Sequence, residues 1–108
     1  MIRTCVSLYS LQDEYLNKRM NLRDIMHFVK ENGAEGVEIL PDQMLKNAPD
    51  ISDDTVKQWE QILDETGLKP VIADVFLNTN LYKNRTLTRR ECIDLLIKEI
   101  KQAARLGI

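Results

Sequence analysis

Glycine and proline are scarce, at four and three residues of 108, and there is one histidine. With 44% hydrophobic and 30% charged residues, that scarcity excludes a disordered or low-complexity chain. At this length there is room for one domain at most. No apolar run approaches the ~20 residues of a membrane span. The start, Met1-Ile2-Arg3-Thr4, lacks a signal-peptide core and runs straight into strand-like sequence. Only two cysteines occur, Cys5 and Cys92, far apart on different predicted elements. They fit neither a disulfide framework nor metal-ligand spacing, so the expectation is a cytoplasmic chain. Asn84-Arg85-Thr86 matches a glycosylation pattern that has no meaning there. A net charge of -2 with interleaved signs gives no footprint for nucleic acid or an anionic membrane. Residues 83–90 hold four cations near a helix start, either a solvated loop or a phosphate or substrate contact.

What is present is a threefold rhythm. Gly33, Gly67 and Gly107 each follow an amphipathic helical run, where a left-handed cap residue is expected. The pattern predicts strands near 3–9, 36–40 and 70–76, and helices near 22–32, 53–66 and 89–106. Asn21, Ser52 and Thr88 supply the helix caps, the last with Glu91 as a capping box. Ile25, Met26 and Val29 mark the buried stripe of the first helix, and Val56, Trp59, Ile62 and Leu63 that of the second. Ile93, Leu96, Ile97 and Ile100 mark that of the third. Three consecutive βα units imply right-handed crossovers and a parallel sheet, an α/β fold. The strand-to-helix loops are long and contain no glycine, which argues against a phosphate-binding dinucleotide fold. Long loops on one face and tight returns on the other are the asymmetry of a (β/α)8 TIM barrel. Three units cannot close one, so the segment reads as the barrel's opening part, or as a module that pairs its open sheet with another chain.

Alternation sorts the strand faces. Val6, Leu8, Val37, Ile39, Val71, Ala73 and Val75 suit packing against helices. The opposite face then carries Ser7, Tyr9, Glu38, Asp74 and Phe76 into a barrel interior. An unpaired carboxylate buried mid-strand costs several kcal/mol (order of magnitude), so Glu38 and Asp74 need a reason. They either bind a hydroxylated substrate or orient a metal site, or they form an internal ion pair with a cation from other strands. Tyr9 and Phe76 either line a ligand pocket or fill a packing layer. The remaining polar candidates read as structural: His27 as a surface or second-layer residue, and Asp53 and Asp54 as cap carboxylates. No Ser–His–Asp, Cys–His or His–Glu set has workable spacing.

Val6-Ser7-Leu8-Tyr9-Ser10, Gly33-Ala34-Glu35-Gly36-Val37-Glu38-Ile39 and Ala103-Ala104-Arg105-Leu106-Gly107 resemble the start of the xylose isomerase-like barrels. These form the sugar phosphate isomerase/epimerase superfamily. Pro70-Val71-Ile72-Ala73-Asp74-Val75-Phe76-Leu77 and Thr86-Leu87-Thr88 fit the same pattern. The resemblance implies a barrel of roughly 280 or more residues. It implies proton transfer next to a sugar carbonyl, with a divalent metal, usually manganese, whose ligands come from later strands without counterpart here. It maps only supporting, substrate-contacting roles onto Tyr9, Glu38, Asp74 and Phe76, and no metal ligand onto this segment. The loop Leu81-Tyr82-Lys83-Asn84-Arg85 resembles the branch that cleaves C-glycosides. The segment is expected to be inactive alone, its partners being a sugar or glycoside and the remaining barrel strands or another chain.

Overall fold

The computed structural model describes residues 2–80 and 84–108. Strands β1 (Cys5–Ser7), β2 (Gly36–Ile39) and β3 (Lys69–Ala73) form one parallel sheet in the order β1-β2-β3. The helices are α1 (Gln12–Leu16), α2 (Leu22–Glu31), α3 (Pro41–Met44), α4 (Asp53–Thr66) and α5 (Arg89–Arg105). The three expected βα units are therefore present, and the loops after β1 and β2 hold short helices of their own.

The long helices begin where their caps dictate. Asn21 and Asp24 exchange hydrogen bonds, the Asp24 N–H donating to Asn21 Oδ1 at 2.9 Å and the Asn21 N–H to Asp24 Oδ2 at 3.0 Å. Thr88 and Glu91 do the same for α5. The Arg85 guanidinium adds a fork onto Glu91 at 2.8 Å, which together with the Thr88 backbone N–H pushes the Glu91 carboxyl down to about 2. Two of the cations in the 83–90 stretch are thus engaged, Arg85 at this cap and Arg90 with Asp94 at 3.1 Å. The returns to the sheet are tight because Gly33 and Gly67 adopt φ of 92° and 66°, a region that costs other residues steric strain.

One side of the sheet is sealed. Val37 and Ile39 are fully buried in a cluster with Ile25, Met26 and Val29 of α2 and Trp59 and Ile62 of α4. Each such side chain contributes about 1.5–3 kcal/mol. Trp59 Nε1–H donates to the Leu106 carbonyl at 3.0 Å, satisfying the indole and fastening the end of α5 to α4.

Three expectations are corrected. First, β1 stops at Ser7, and Leu8–Leu11 form a 3-10 turn capped by the Ser7 side chain, so Tyr9 leaves the strand. Second, Val71 does not face the helices. The β2–β3 register pairs Val37 with Pro70 and Glu38 with Ile72, skipping Val71. A Cβ on Gly36 would lie 2.8 Å from Val71 Cγ2 and 3.8 Å from Cys5 Sγ, so Val71 shares the face of Cys5 and Gly36. The missing side chain at Gly36 is what makes room for that slip. Third, the stripe Ile93, Leu96, Ile97 and Ile100 of α5 is exposed, at 40% or more for each residue. The same helix buries Glu99 and Gln102, with Gln102 Nε2–H donating to Glu99 Oε2 at 3.0 Å and Gln102 Oε1 lacking a partner. The described residues contain no surface that covers the stripe.

Gly36→Ala is expected to destabilise the chain by about 1–3 kcal/mol in urea unfolding, since the methyl meets Val71 and, at 3.2 Å, the Lys69 carbonyl. Adding Val71→Ala should return only part of that loss, because the backbone contact stays. Burial first, then the charges of Asp42 and Asp50, raise the Glu99 carboxyl. A raised acid opposes folding at pH values above its folded pKa, and that penalty fades as pH falls toward the ordinary carboxylate range. Glu99→Gln should therefore raise the urea midpoint at pH 7 and flatten its fall as pH rises above the ordinary carboxylate range; a lowered midpoint would contradict the burial argument.

Candidate functional site

β2 is the central strand, so its alternate residues decide what each face of the sheet carries. Between the fully buried Val37 and Ile39, Glu38 points the other way and is half-buried. The register sets Ser7 of β1 and Ile72 of β3 beside it at one level. Ser7 Oγ–H donates to Glu38 Oε1 at 2.5 Å, and Ser7 Oγ itself accepts the Tyr9 N–H at 3.4 Å. Among the described residues the carboxylate is thus held by one neutral donor and no cation. Its charge is felt one step down β1, where burial first and Glu38 second push the Cys5 thiol up.

The rim of this face comes from the residues after β3. The Asp74 N–H donates to the Ile39 carbonyl at 2.8 Å, extending the ladder one residue past the strand. Ile72, Asp74 and Phe76 are exposed while Ala73, Val75 and Leu77 between them are half-buried, so the alternation continues. Asp74 and Phe76 accordingly share the side of Ile72 and Glu38. Among the described residues no hydrogen bond or ion pair joins Asp74 to Glu38. Tyr9 sits on the 3-10 turn at the same end, 60% exposed. Of the four residues singled out by sequence, Glu38 is therefore seated in the sheet, Asp74 and Phe76 stand at its rim, and Tyr9 stands on the adjoining turn. Alternation places Ser7 on the interior face, and its bond to Glu38 emerges only with the strand register. The signal was a hydroxyl on the neighbouring strand at the same level.

Other polar features lie away from this face. His27 Nε2 lies 3.3 Å from Glu65 Oε2, which also meets Arg23 at 3.4 Å, a half-exposed cluster joining α2 to α4. A concavity of about 630 Å3 lined by Tyr15, Asn21, Lys46, Asp54, Trp59 and Ile62 touches none of the sheet residues. Among the described residues no three His, Cys, Asp or Glu side chains converge where a metal ion could be held. The residues present do not fit the divalent metal that the resemblance implies. Leu81, Tyr82 and Lys83 of the loop that resembles the C-glycoside branch lie outside the described residues. No helix among the described residues is long and apolar enough to cross a membrane.

A family model described as xylose isomerase-like TIM barrel matches residues 26–108. This chain belongs to that family. A C-glycoside deglycosidase alpha subunit of Arthrobacter globiformis is 32% identical over 103 residues, covering 94% of this chain and 29% of the relative. A second protein of that name from the same organism is 29% identical over 104 residues, covering 94% and 28%. A 3'-dehydrocarminate deglycosidase alpha subunit of Microbacterium is 26% identical over 106 residues, covering 97% and 30%. The chain thus spans less than a third of the length of the curated relatives it matches.

Calorimetric titration of the chain with manganese is expected to show no stoichiometric, high-affinity uptake. Tight one-to-one binding would mean that a ligand set had been overlooked.

Proposed function

We propose that this chain forms the opening strand–helix portion of a glycoside-cleaving enzyme subunit, in which Glu38 binds sugar hydroxyls and is not the group that breaks the bond. The observation that carries this reading is the 32% identity over 94% of the chain to a relative named C-glycoside deglycosidase alpha subunit. The open face agrees with it. A half-buried carboxylate held by a single hydroxyl keeps acceptor capacity for a polyol, and Phe76 and Tyr9 at the rim offer apolar surface for a sugar ring or an aglycone.

The chemistry unites the isomerase-like and C-glycoside-cleaving branches. One relative carries in its name a glycoside oxidised at the 3' position. Beside such a ketone the C2' hydrogen is acidic. A base removes it, its electron pair becomes the C1'–C2' double bond, and the C1'–aglycone bond breaks. That bonding pair leaves with the aglycone, whose carbon takes up a proton. The first step is the proton transfer next to a sugar carbonyl that an isomerase or epimerase performs, with cleavage in place of return of the proton. The named relatives favour cleavage over isomerisation. The base and the ligands of any manganese ion belong to residues outside these 108. The relatives' designation as alpha subunits supports a second, different chain as partner. The two unpaired cysteines, Cys5 of them exposed, support a reducing cytoplasmic setting.

In the assembled enzyme, Glu38→Gln is expected to raise KM for a 3'-oxidised C-glycoside about tenfold, with kcat within about threefold. An unchanged KM would remove Glu38 from the binding site.

One observation favours a second reading, a non-catalytic α/β module that associates through its uncovered surfaces. It is the exposed stripe of α5 beside an open sheet. Light scattering separates the two: a concentration-dependent dimer whose formation Ile97→Asp abolishes supports the module, and a monomer at all concentrations removes it.

A further inference from the structure

Glu38 and Tyr9 lie on different elements, and one hydroxyl touches both. Ser7 is the last residue of β1 and the cap of the 3-10 turn Leu8–Leu11. It has a single proton and two lone pairs. The proton goes to Glu38 Oε1 at 2.5 Å, and a lone pair accepts the Tyr9 N–H at 3.4 Å. That donation leaves Glu38 Oε2 without a partner among the described residues.

Burial on the two faces of β2 reinforces the point. Val37 and Ile39 fix the backbone of Glu38 through a fully buried core, but its side chain has three rotatable bonds above an open face. No cation or backbone N–H among the described residues restrains it. Fixing such a side chain costs rotamer entropy that a substrate must otherwise overcome on binding. The Ser7 hydroxyl has already met that cost.

We propose that Ser7 is the positioning residue of this site: it holds Oε1 so that Oε2 faces the hollow, and it registers the Tyr9 turn against the carboxylate. The proposal rests on the reading of Glu38 as a sugar-binding group, and it adds a residue that neither sequence pattern nor relatives assign. Its physical core is a relay, Glu38 carboxylate to Ser7 hydroxyl to Tyr9 amide, so a change at the Glu38 carboxylate is felt at the Tyr9 N–H.

Two arms test it. In the 108-residue chain, NMR should show Glu38→Gln displacing the Tyr9 amide shift. That displacement should vanish in a Ser7→Ala background and survive in a Ser7→Thr background, which keeps the hydroxyl. A Tyr9 amide that ignores Glu38, or a relay that persists in Ser7→Ala, overturns the proposal. In the assembled enzyme with a 3'-oxidised C-glycoside, Ser7→Ala should raise KM about tenfold with kcat little changed, and Ser7→Thr should stay within about twofold of the parent. If Glu38→Gln raises KM and Ser7→Ala does not, the positioning role falls and the binding role of Glu38 stands. If neither raises KM, both fall together.

Discussion

A parallel sheet needs cover on both faces, because its crossover helices leave no strand surface suited to water and its edges present unpaired backbone groups. Among the described residues one face has that cover and the other does not. α2 and α4 seal Val37 and Ile39 completely, while Glu38, Ile72 and Phe76 stand on the open side. That imbalance organises everything else in the molecule. It explains a carboxylate in mid-strand, large apolar side chains in solvent, and a helix whose apolar stripe has nothing to lie on. In a closed barrel the same residues line an interior, where a carboxylate is useful and an exposed isoleucine is not.

The electrostatics follow from the same geometry. A fully buried Glu38 would demand a cation, at a desolvation cost of several kcal/mol by order of magnitude. Glu38 is only half-buried and is bonded to the Ser7 hydroxyl, with no cation beside it among the described residues. Glu99 is the contrasting case. It is driven inward on α5 beside the Gln102 amide, and burial first, then the charges of Asp42 and Asp50, lift its carboxyl. The first carboxylate is held where a ligand can reach it, and the second is a by-product of which side of α5 finds a partner.

Much of this was legible in the residues. Helix starts are local chemistry, and Asn21, Ser52 and Thr88 cap where their side chains and spacing say they must. The sidedness of β2 was legible too, since Val37-Glu38-Ile39 is an unambiguous alternation. Three features were not, each for a physical reason. Ser7 is at once a strand residue and a helix cap, and period-two reading cannot say where one role yields to the other. The slip at Val71 depends on the absent side chain of Gly36 across the sheet, a contact 35 residues away in sequence. The stripe of α5 was read correctly as apolar, yet burial needs an opposing surface, and spacing on one helix carries no information about that. For the candidate site, sequence placed Glu38, Asp74 and Phe76 on one side, but the Ser7–Glu38 bond needed the strand register.

The sidedness of the sheet can be measured directly by thiol labelling in a background where Cys5 and Cys92 are replaced by serine. Ile72→Cys sits at the level of Glu38, and Val37→Cys sits in the helix-covered core. Under native conditions the first should react within about tenfold of the unfolded chain, and the second at least about a thousandfold more slowly. A protected thiol at position 72 with a reactive one at 37 would place Glu38 on the covered side and contradict the account.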